Sequence, residues 1–236
     1  MTPHIRIITP HVAPVPRKLA EVDDLARRFG LRISQANIAE GPRAIESRHD
    51  EALCAAGVVA AARAAEAEGV DAVIVDCFAD PALDAVRETV RIPAIGPGEA
   101  GLHAAAQFAR RFGIVTILDA VVPMIEDRVR LAGLSHRLAG VRVIDTPVRE
   151  IDGDEARLAA RLVEAAARSV LEDRADLVLL GCTGFLGIDR GVEAALRERG
   201  IAVSVLSPLR VAVMAALLAL QLGLRHYPTP CSPVVG

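Results

Sequence analysis

Short runs of Val, Ile and Leu alternate along this chain with Ala-rich stretches whose apolar positions recur every three to four residues. The first pattern suits strands buried on both faces, and the second suits helices with one apolar side. In the first half it predicts strands over residues 5–9, 31–37, 72–76 and 93–96. Helices are predicted over 16–29, 50–68, 81–90 and 98–112, with Gly30 and Gly69 as stops. The second half repeats that order. Its strands are predicted over 113–118, 141–145, 176–180 and 201–206. Its helices are predicted over 122–132, 154–172, 189–199 and 208–222, with Gly200 as a stop.

Strands alternating with helices give parallel sheets covered on both faces. The predicted fold class is α/β, with two pseudo-symmetric lobes around a cleft. Each lobe carries a four-stranded, mainly parallel sheet flanked by helices. The division falls at 1–98 for the first lobe and 99–207 for the second. The terminal helix over 208–224 is free to pack back onto the first lobe, and 227–236 reads as a loose, Pro-rich tail.

Two cysteines occupy matched places in this repeat. Val70-Asp71-Ala72-Val73-Ile74-Val75-Asp76-Cys77 follows the same pattern as Ala175-Asp176-Leu177-Val178-Leu179-Leu180-Gly181-Cys182. Each has an acidic entry, a buried strand and a Cys at the carboxyl end. The next strand of each half leads to a proline, Pro97 or Pro208. A pseudo-twofold axis would turn both strand ends toward one cleft, which is where open α/β sheets bind ligands.

Composition narrows the partners. Of 236 residues, 52% are apolar and 24% charged, enough for a substantial core. Aromatics are 3% and Trp is absent, so platforms for stacking single-stranded nucleic acid are lacking. Net charge is −3, with no basic stripe. Neither nucleic acid nor a membrane is an expected partner, and a small-molecule substrate is. The apolar run over 211–220 is too short to cross a bilayer. No secretory signal is legible at the start, so the expected location is cytoplasmic and Cys54, Cys77, Cys182 and Cys231 are expected as free thiols.

The paired positions suit proton transfer. A racemase needs one group to take a proton from a stereocentre and a like group to return one to the opposite face. Two thiols from equivalent positions meet that need, one as thiolate and one as thiol, titrating as a coupled unit. The turn after each Cys offers the backbone N–H groups of Phe78, Ala79, Thr183 and Gly184 for a developing enolate, and Thr183 adds a hydroxyl. A helix starting soon after each turn is expected to favour the thiolate, so that a modest downward shift suffices. Thr9, His11 and Thr116 stand at strand ends or in the first loop and are candidates for the substrate pocket. Either cysteine taken alone is more simply a small core residue. Cys54 sits in an Ala-rich helix as core, and Cys231 is incidental in the tail.

These residues resemble the aspartate/glutamate/hydantoin racemase superfamily, hydantoin racemases above all. Cys77-Phe78-Ala79-Asp80-Pro81-Ala82-Leu83 looks like the first cysteine motif, and Leu180-Gly181-Cys182-Thr183-Gly184 like the second. Further similar blocks are Gly41-Pro42 with Ile45-Glu46, Ile92-Pro93 with Gly98-Glu99-Ala100, and Arg111-Phe112-Gly113-Ile114-Val115-Thr116. The resemblance implies cofactor-free racemisation at C5 of a hydantoin or of allantoin, in a homo-oligomer. Retention of both cysteines favours a racemase over the related arylmalonate decarboxylases, which keep one. Aspartate/glutamate racemases and maleate isomerases of the superfamily remain alternatives. The first loop departs from the family's Asn-Pro-Asn-Thr pattern, reading Thr9-Pro10-His11-Val12, and Ala44 and His49 stand where members often carry Ser and an aromatic.

Other chemistries leave weaker traces. Gly96-Pro97-Gly98-Glu99-Ala100-Gly101 matches the dinucleotide fingerprint G-x-G-x-x-G, so a nicotinamide-dependent oxidoreductase is the rival from another class. Pro97 stiffens the turn that would wrap a pyrophosphate, and Glu99 reads as a helix cap. A non-catalytic small-molecule binding protein is a further alternative. The six histidines are scattered, without H-E-x-x-H or C-x-x-C, and G-x-S-x-G is absent. No metal and no organic cofactor is expected.

Overall fold

The computed structural model describes residues 2–151 and 153–227. Cys231 and most of the predicted tail lie outside the described residues. Strands β1 (His4–Thr9), β2 (Arg32–Asn37), β3 (Ala72–Val75) and β4 (Ala94–Ile95) form one parallel sheet in the order β2-β1-β3-β4. Strands β5 (Phe112–Thr116), β6 (Leu138–Val143), β7 (Leu177–Leu180) and β8 (Ser204–Leu206) form a second parallel sheet in the order β6-β5-β7-β8. The topology is the same twice. β3 and β7 are buried at every position, as their unbroken apolar runs require, while β2 and β6 are half-buried edge strands.

Helices follow the predicted places, with informative differences in length. The expected helix over 16–29 opens only as a 3-10 turn over Lys18–Val22 and becomes α1 at Asp23–Phe29. Pro14 and Pro16 push the residues before them out of the helical region and delay the start. Gly30, at φ 62°, ends the helix in the left-handed conformation. Helix α2 (Arg48–Ala67) is capped by Ser47, whose side chain accepts from the Asp50 amide. The Asp50 carboxylate returns the bond to the Glu46 amide and the Ser47 hydroxyl.

The third helix is shorter than expected, α3 spanning Leu83–Arg87, because Asp80 and Ala82 hold positive φ and end the turn before it. Helix α4 (Pro97–Phe108) stops before Phe112 rather than including it. Phe112 is fully buried as the first residue of β5, paired with Leu138 and Leu177. Helices α5 (Val122–Leu131), α6 (Glu155–Leu171), α7 (Asp189–Glu198) and α8 (Pro208–Gln221) complete the chain.

The last helix of each half crosses to the other half. α8 buries Leu209, Ala212, Val213 and Ala216 against Ile5 and Ile7 of β1 and Ala72 and Ile74 of β3. α4 packs on β7, with α4 and α8 against one another. Gly101 makes this approach close: a Cβ there would stand 3.1 Å from Leu179 and 3.3 Å from Pro208. The exchange fixes the two sheets relative to each other, and so places their strand ends around one space. No helix among the described residues is long and apolar enough to cross a membrane.

Candidate functional site

A cavity of about 350 Å³ lies at the carboxyl ends of the two sheets, within the size range of small-molecule sites. Cys77 and Cys182 both line it. Their placement follows from matched registers. Ile8 pairs with Val75 in the first sheet and Val115 with Leu180 in the second. The next amide of each strand continues the ladder, Asp76 to Ile8 at 2.9 Å and Gly181 to Val115 at 2.7 Å. The cysteine comes one residue later in both, where the ladder ends and the side chain leaves the sheet.

The turns after the cysteines are alike. Gly184 N–H points at Cys182 Sγ, 3.3 Å away, and the Ala79 amide bears on Cys77 in the same way. The following helices begin at Leu83, two residues later than expected, and at Asp189, as expected; the amide two residues on, rather than a helix end, faces each sulfur. The expected downward shift is also corrected. Burial pushes the Cys77 thiol well above its ordinary value, with the Ala79 amide opposing and the charges of Cys182, Asp80 and Asp76 adding to the rise. Burial raises Cys182 to about 11, against the Gly184 amide and the Lys18 cation. Desolvation of the thiolate outweighs the nearby amides and the Lys18 cation. The charge of Cys182 is felt at Cys77 across the cavity.

The structure gathers most of the other candidates around these sulfurs. Phe78, Ala79, Thr116, Thr183, Gly184 and His11 line the same cavity. Thr116 is fully buried and its hydroxyl donates to Gly181 O at 3.2 Å. The Thr183 hydroxyl donates to Asp76 O at 3.2 Å, bridging the two cysteine turns. The His11 carbonyl accepts from Asn37 Nδ2 at 2.8 Å, which fixes the first loop. Its Nδ1 is buried without a hydrogen-bond partner among the described residues, and burial lowers its pKa, so the ring is neutral near pH 7. Thr9 is not brought into the cavity lining; it is 1% exposed and its hydroxyl accepts from Gln35 Nε2 at 3.0 Å on the neighbouring strand. Cys54 is fully buried in α2, donates to Glu51 O at 3.2 Å and lies apart from the cavity.

Sequence reasoning missed the charged residues at the site. Lys18 and Asp76 line the cavity as a buried ion pair, Nζ to Oδ2 2.8 Å. Lys18 also donates to Thr183 O at 2.6 Å. Arg43 and Arg149 line the cavity as exposed side chains from opposite halves. Lys18 is the single lysine of the sequence, a signal that was there to be read; its burial is decided by the tertiary fold. Among the described residues, no group of three or more His, Cys, Asp or Glu is placed to hold a metal ion.

The glycine fingerprint has an internal explanation. Asp80, buried and at φ 50°, accepts from the amides of Gly98 at 2.8 Å and Glu99 at 2.7 Å, and from Arg128 at 2.9 Å. Its carboxylate occupies the helix end that a pyrophosphate would need. A Cβ on Gly96 would stand 2.4 Å from Asp80, and one on Gly98 would stand 2.0 Å from the Phe78 carbonyl. The glycines let α4 start against the turn that carries Cys77. Asp80, and not Glu99, satisfies the helix start; Glu99 pairs with Arg87 at 3.0 Å.

Known proteins share this architecture and sequence. The Asp/Glu/Hydantoin racemase family model matches residues 19–216. The chain is 36% identical to hydantoin racemase of Rhizobium meliloti over 182 residues, 77% of this chain and 76% of that one. It is 35% identical to hydantoin racemase of Paenarthrobacter aurescens over 195 residues, 82% of this chain and 80% of that one. Allantoin racemase from Klebsiella pneumoniae superimposes with a TM-score of 0.88 at 27% identity, covering 100% of this chain and 97% of that one. With two identical parallel sheets closing on one cavity and these matches along most of its length, the chain belongs to the Asp/Glu/hydantoin racemase family.

Proposed function

We propose that this protein racemises the C5 stereocentre of a 5-substituted hydantoin or of allantoin, with Cys77 and Cys182 as the acid/base pair and without a cofactor. The observation that carries this reading is the equivalence of the two sulfurs. They end corresponding strands, face one cavity and each receive an amide from two residues on. A reversible proton relay between two faces of a carbon needs two such groups. One thiolate removes the C5 proton. The opposite thiol supplies a proton to the other face, and the negative charge meanwhile rests on the oxygen of the adjacent carbonyl. The amides of the two turns are the donors for that enolate. The Lys18 cation favours the thiolate of Cys182.

Burial serves the same chemistry. A thiolate stripped of water is a stronger base than one in solution, and C5 of a hydantoin is a weak carbon acid. An apolar wall of Ile117, Val121, Met124 and Ile125 lines the cavity beside Thr116 and offers room for a substituent. A second reading, racemisation or isomerisation of an acidic substrate such as aspartate, glutamate or maleate, is favoured by Arg43 and Arg149, which line the cavity without an ion-pair partner among the described residues. A panel of hydantoins, allantoin, aspartate, glutamate and maleate, followed by polarimetry and by proton NMR in heavy water, separates the two. Loss of optical rotation together with deuterium at C5 of a hydantoin or allantoin is expected. Turnover of the acidic substrates alone would replace the first reading with the second. A protein that only binds these molecules would incorporate no deuterium.

A further inference from the structure

Lys18 and Asp76 stand between the two cysteines. Asp76 precedes Cys77, and the carbonyl held by Lys18 belongs to Thr183, which follows Cys182. Their side chains are 3% and 1% exposed, yet both line the cavity. A buried ion pair rarely stabilises a fold more than apolar side chains of the same volume, because both ions lose their water. This pair is also incomplete. Lys18 Nζ touches Asp76 Oδ2 at 2.8 Å, but neither carboxylate oxygen is in hydrogen-bond geometry with a donor among the described residues. Asp76 Oδ1 meets no donor at all among the described residues, and a buried carboxylate oxygen left so is costly, so natural structures pair such groups or present them to a ligand. The bland alternative is a pair that only ties the two turns together. The Thr183 hydroxyl bond to Asp76 O already makes that tie, and Oδ1 of the carboxylate takes no part in it.

What a carboxylate acceptor takes from a ligand is an N–H or O–H. The substrate class proposed above carries two N–H groups in its ring, each next to a carbonyl. We infer that Asp76 accepts a hydrogen bond from a ring N–H of the substrate and so selects cyclic ureides with that nitrogen unsubstituted. Lys18 is the positioning residue: it neutralises Asp76 and holds it at the mouth of both cysteine turns. The inference rests on the hydantoin reading and names its recognition element.

The test compares a 5-alkylhydantoin with its N1-methyl and N3-methyl derivatives, by kcat/KM for C5 deuterium exchange. The enzymes are the wild type, Asp76→Asn, and the double variant Lys18→Met/Asp76→Leu, which leaves neither charge alone in the interior. The wild type is expected to disfavour at least one methylated isomer by about 100-fold, the usual reach of a charge-assisted bond. That ratio is expected to shrink at least fivefold in Asp76→Asn, mostly through loss on the unmethylated ring. The double variant repeats the readout if the single one does not fold. A smaller change, with all ring forms slowed alike, would make the pair merely structural and overturn the inference while leaving the racemase reading intact. No exchange from any hydantoin by the wild type would overturn both.

Discussion

The Gly184 amide and the charge of Lys18 oppose the burial of Cys182, and its thiol still stands at about 11. At pH 7 such a thiol is ionised in about one molecule in ten thousand. Cys77 is held well above its ordinary value by the same desolvation. The free enzyme's kcat/KM is therefore expected to climb about tenfold per pH unit from pH 7 to 9, with no plateau in that range. A rate profile measured with fixed buffer ionic strength checks this; a plateau reached by pH 8 would mean a thiolate already formed at neutral pH.

Asp80 titrates in the opposite sense from the usual paired carboxylate. Burial raises it to about 6 although Arg128 and the amides of Gly98 and Glu99 favour its charge. A folded-state value above the unfolded one means that the folded chain binds more protons between about pH 4 and 6. The contribution to stability is full below the unfolded value and is lost as pH rises through 6. Relative to Asp80→Asn, the wild type is expected to gain roughly 2 kcal/mol between pH 7 and pH 4. Denaturant unfolding of both proteins at the two pH values measures it. Nothing in the sequence could announce this. Asp80 reads as one residue of a loop motif, and its role comes from a positive φ that turns the carboxylate onto a helix start 18 residues away.

At the scale of elements, the cysteine-bearing strands were legible because their burial is complete. β3 and β7 are unbroken apolar runs, and each is followed two residues later by a cysteine. The helices were less so. Prolines shortened α1 at its start, and left-handed residues shortened α3. Phe112, apolar enough to extend α4 by pattern, belongs to a strand because two neighbouring strands pair with it. The fingerprint glycines were visible, but their reason was not. Space for the Phe78 carbonyl, rather than for a phosphate, requires Gly98. Gly98→Ala is expected to destabilise by about 1–3 kcal/mol, as overpacking does. It should also lower kcat by displacing the turn after Cys77. Unfolding curves and exchange rates check both effects; unchanged stability would place the Phe78 carbonyl elsewhere.

On the scale of the whole molecule, one cavity depends on two halves staying in place. α8 covers the first sheet and α4 reaches β7 of the second. Polar ties cross between halves at the site itself: Lys18 to Thr183, Glu46 to the Val148 amide, Arg128 to Asp80. Glu21, kept with a raised pKa by burial, accepts from Ser207 and from the Gly187 amide and adds a further tie between the halves. The repeat was readable from the order of elements, and that order also left the terminal helix free to return to the first lobe; the packing of α4 on β7 and the buried ion pair were not readable, since both are contacts between segments distant in sequence.

The pairing of Cys77 and Cys182 across that cavity is tested most directly by racemisation in heavy water, starting from each enantiomer of one 5-substituted hydantoin. Wild type, Cys77→Ser, Cys182→Ser and Cys54→Ser are compared. Cys54, outside the cavity, should tolerate serine with activity within about twofold, since only an internal bond to Glu51 is altered. Either of the other two serines should reduce racemisation by about 1,000-fold or more, the scale on which a lost acid/base group is felt, with any residual deuterium exchange confined to one enantiomer. Racemisation at wild-type rate by Cys77→Ser or Cys182→Ser would contradict the two-sulfur relay.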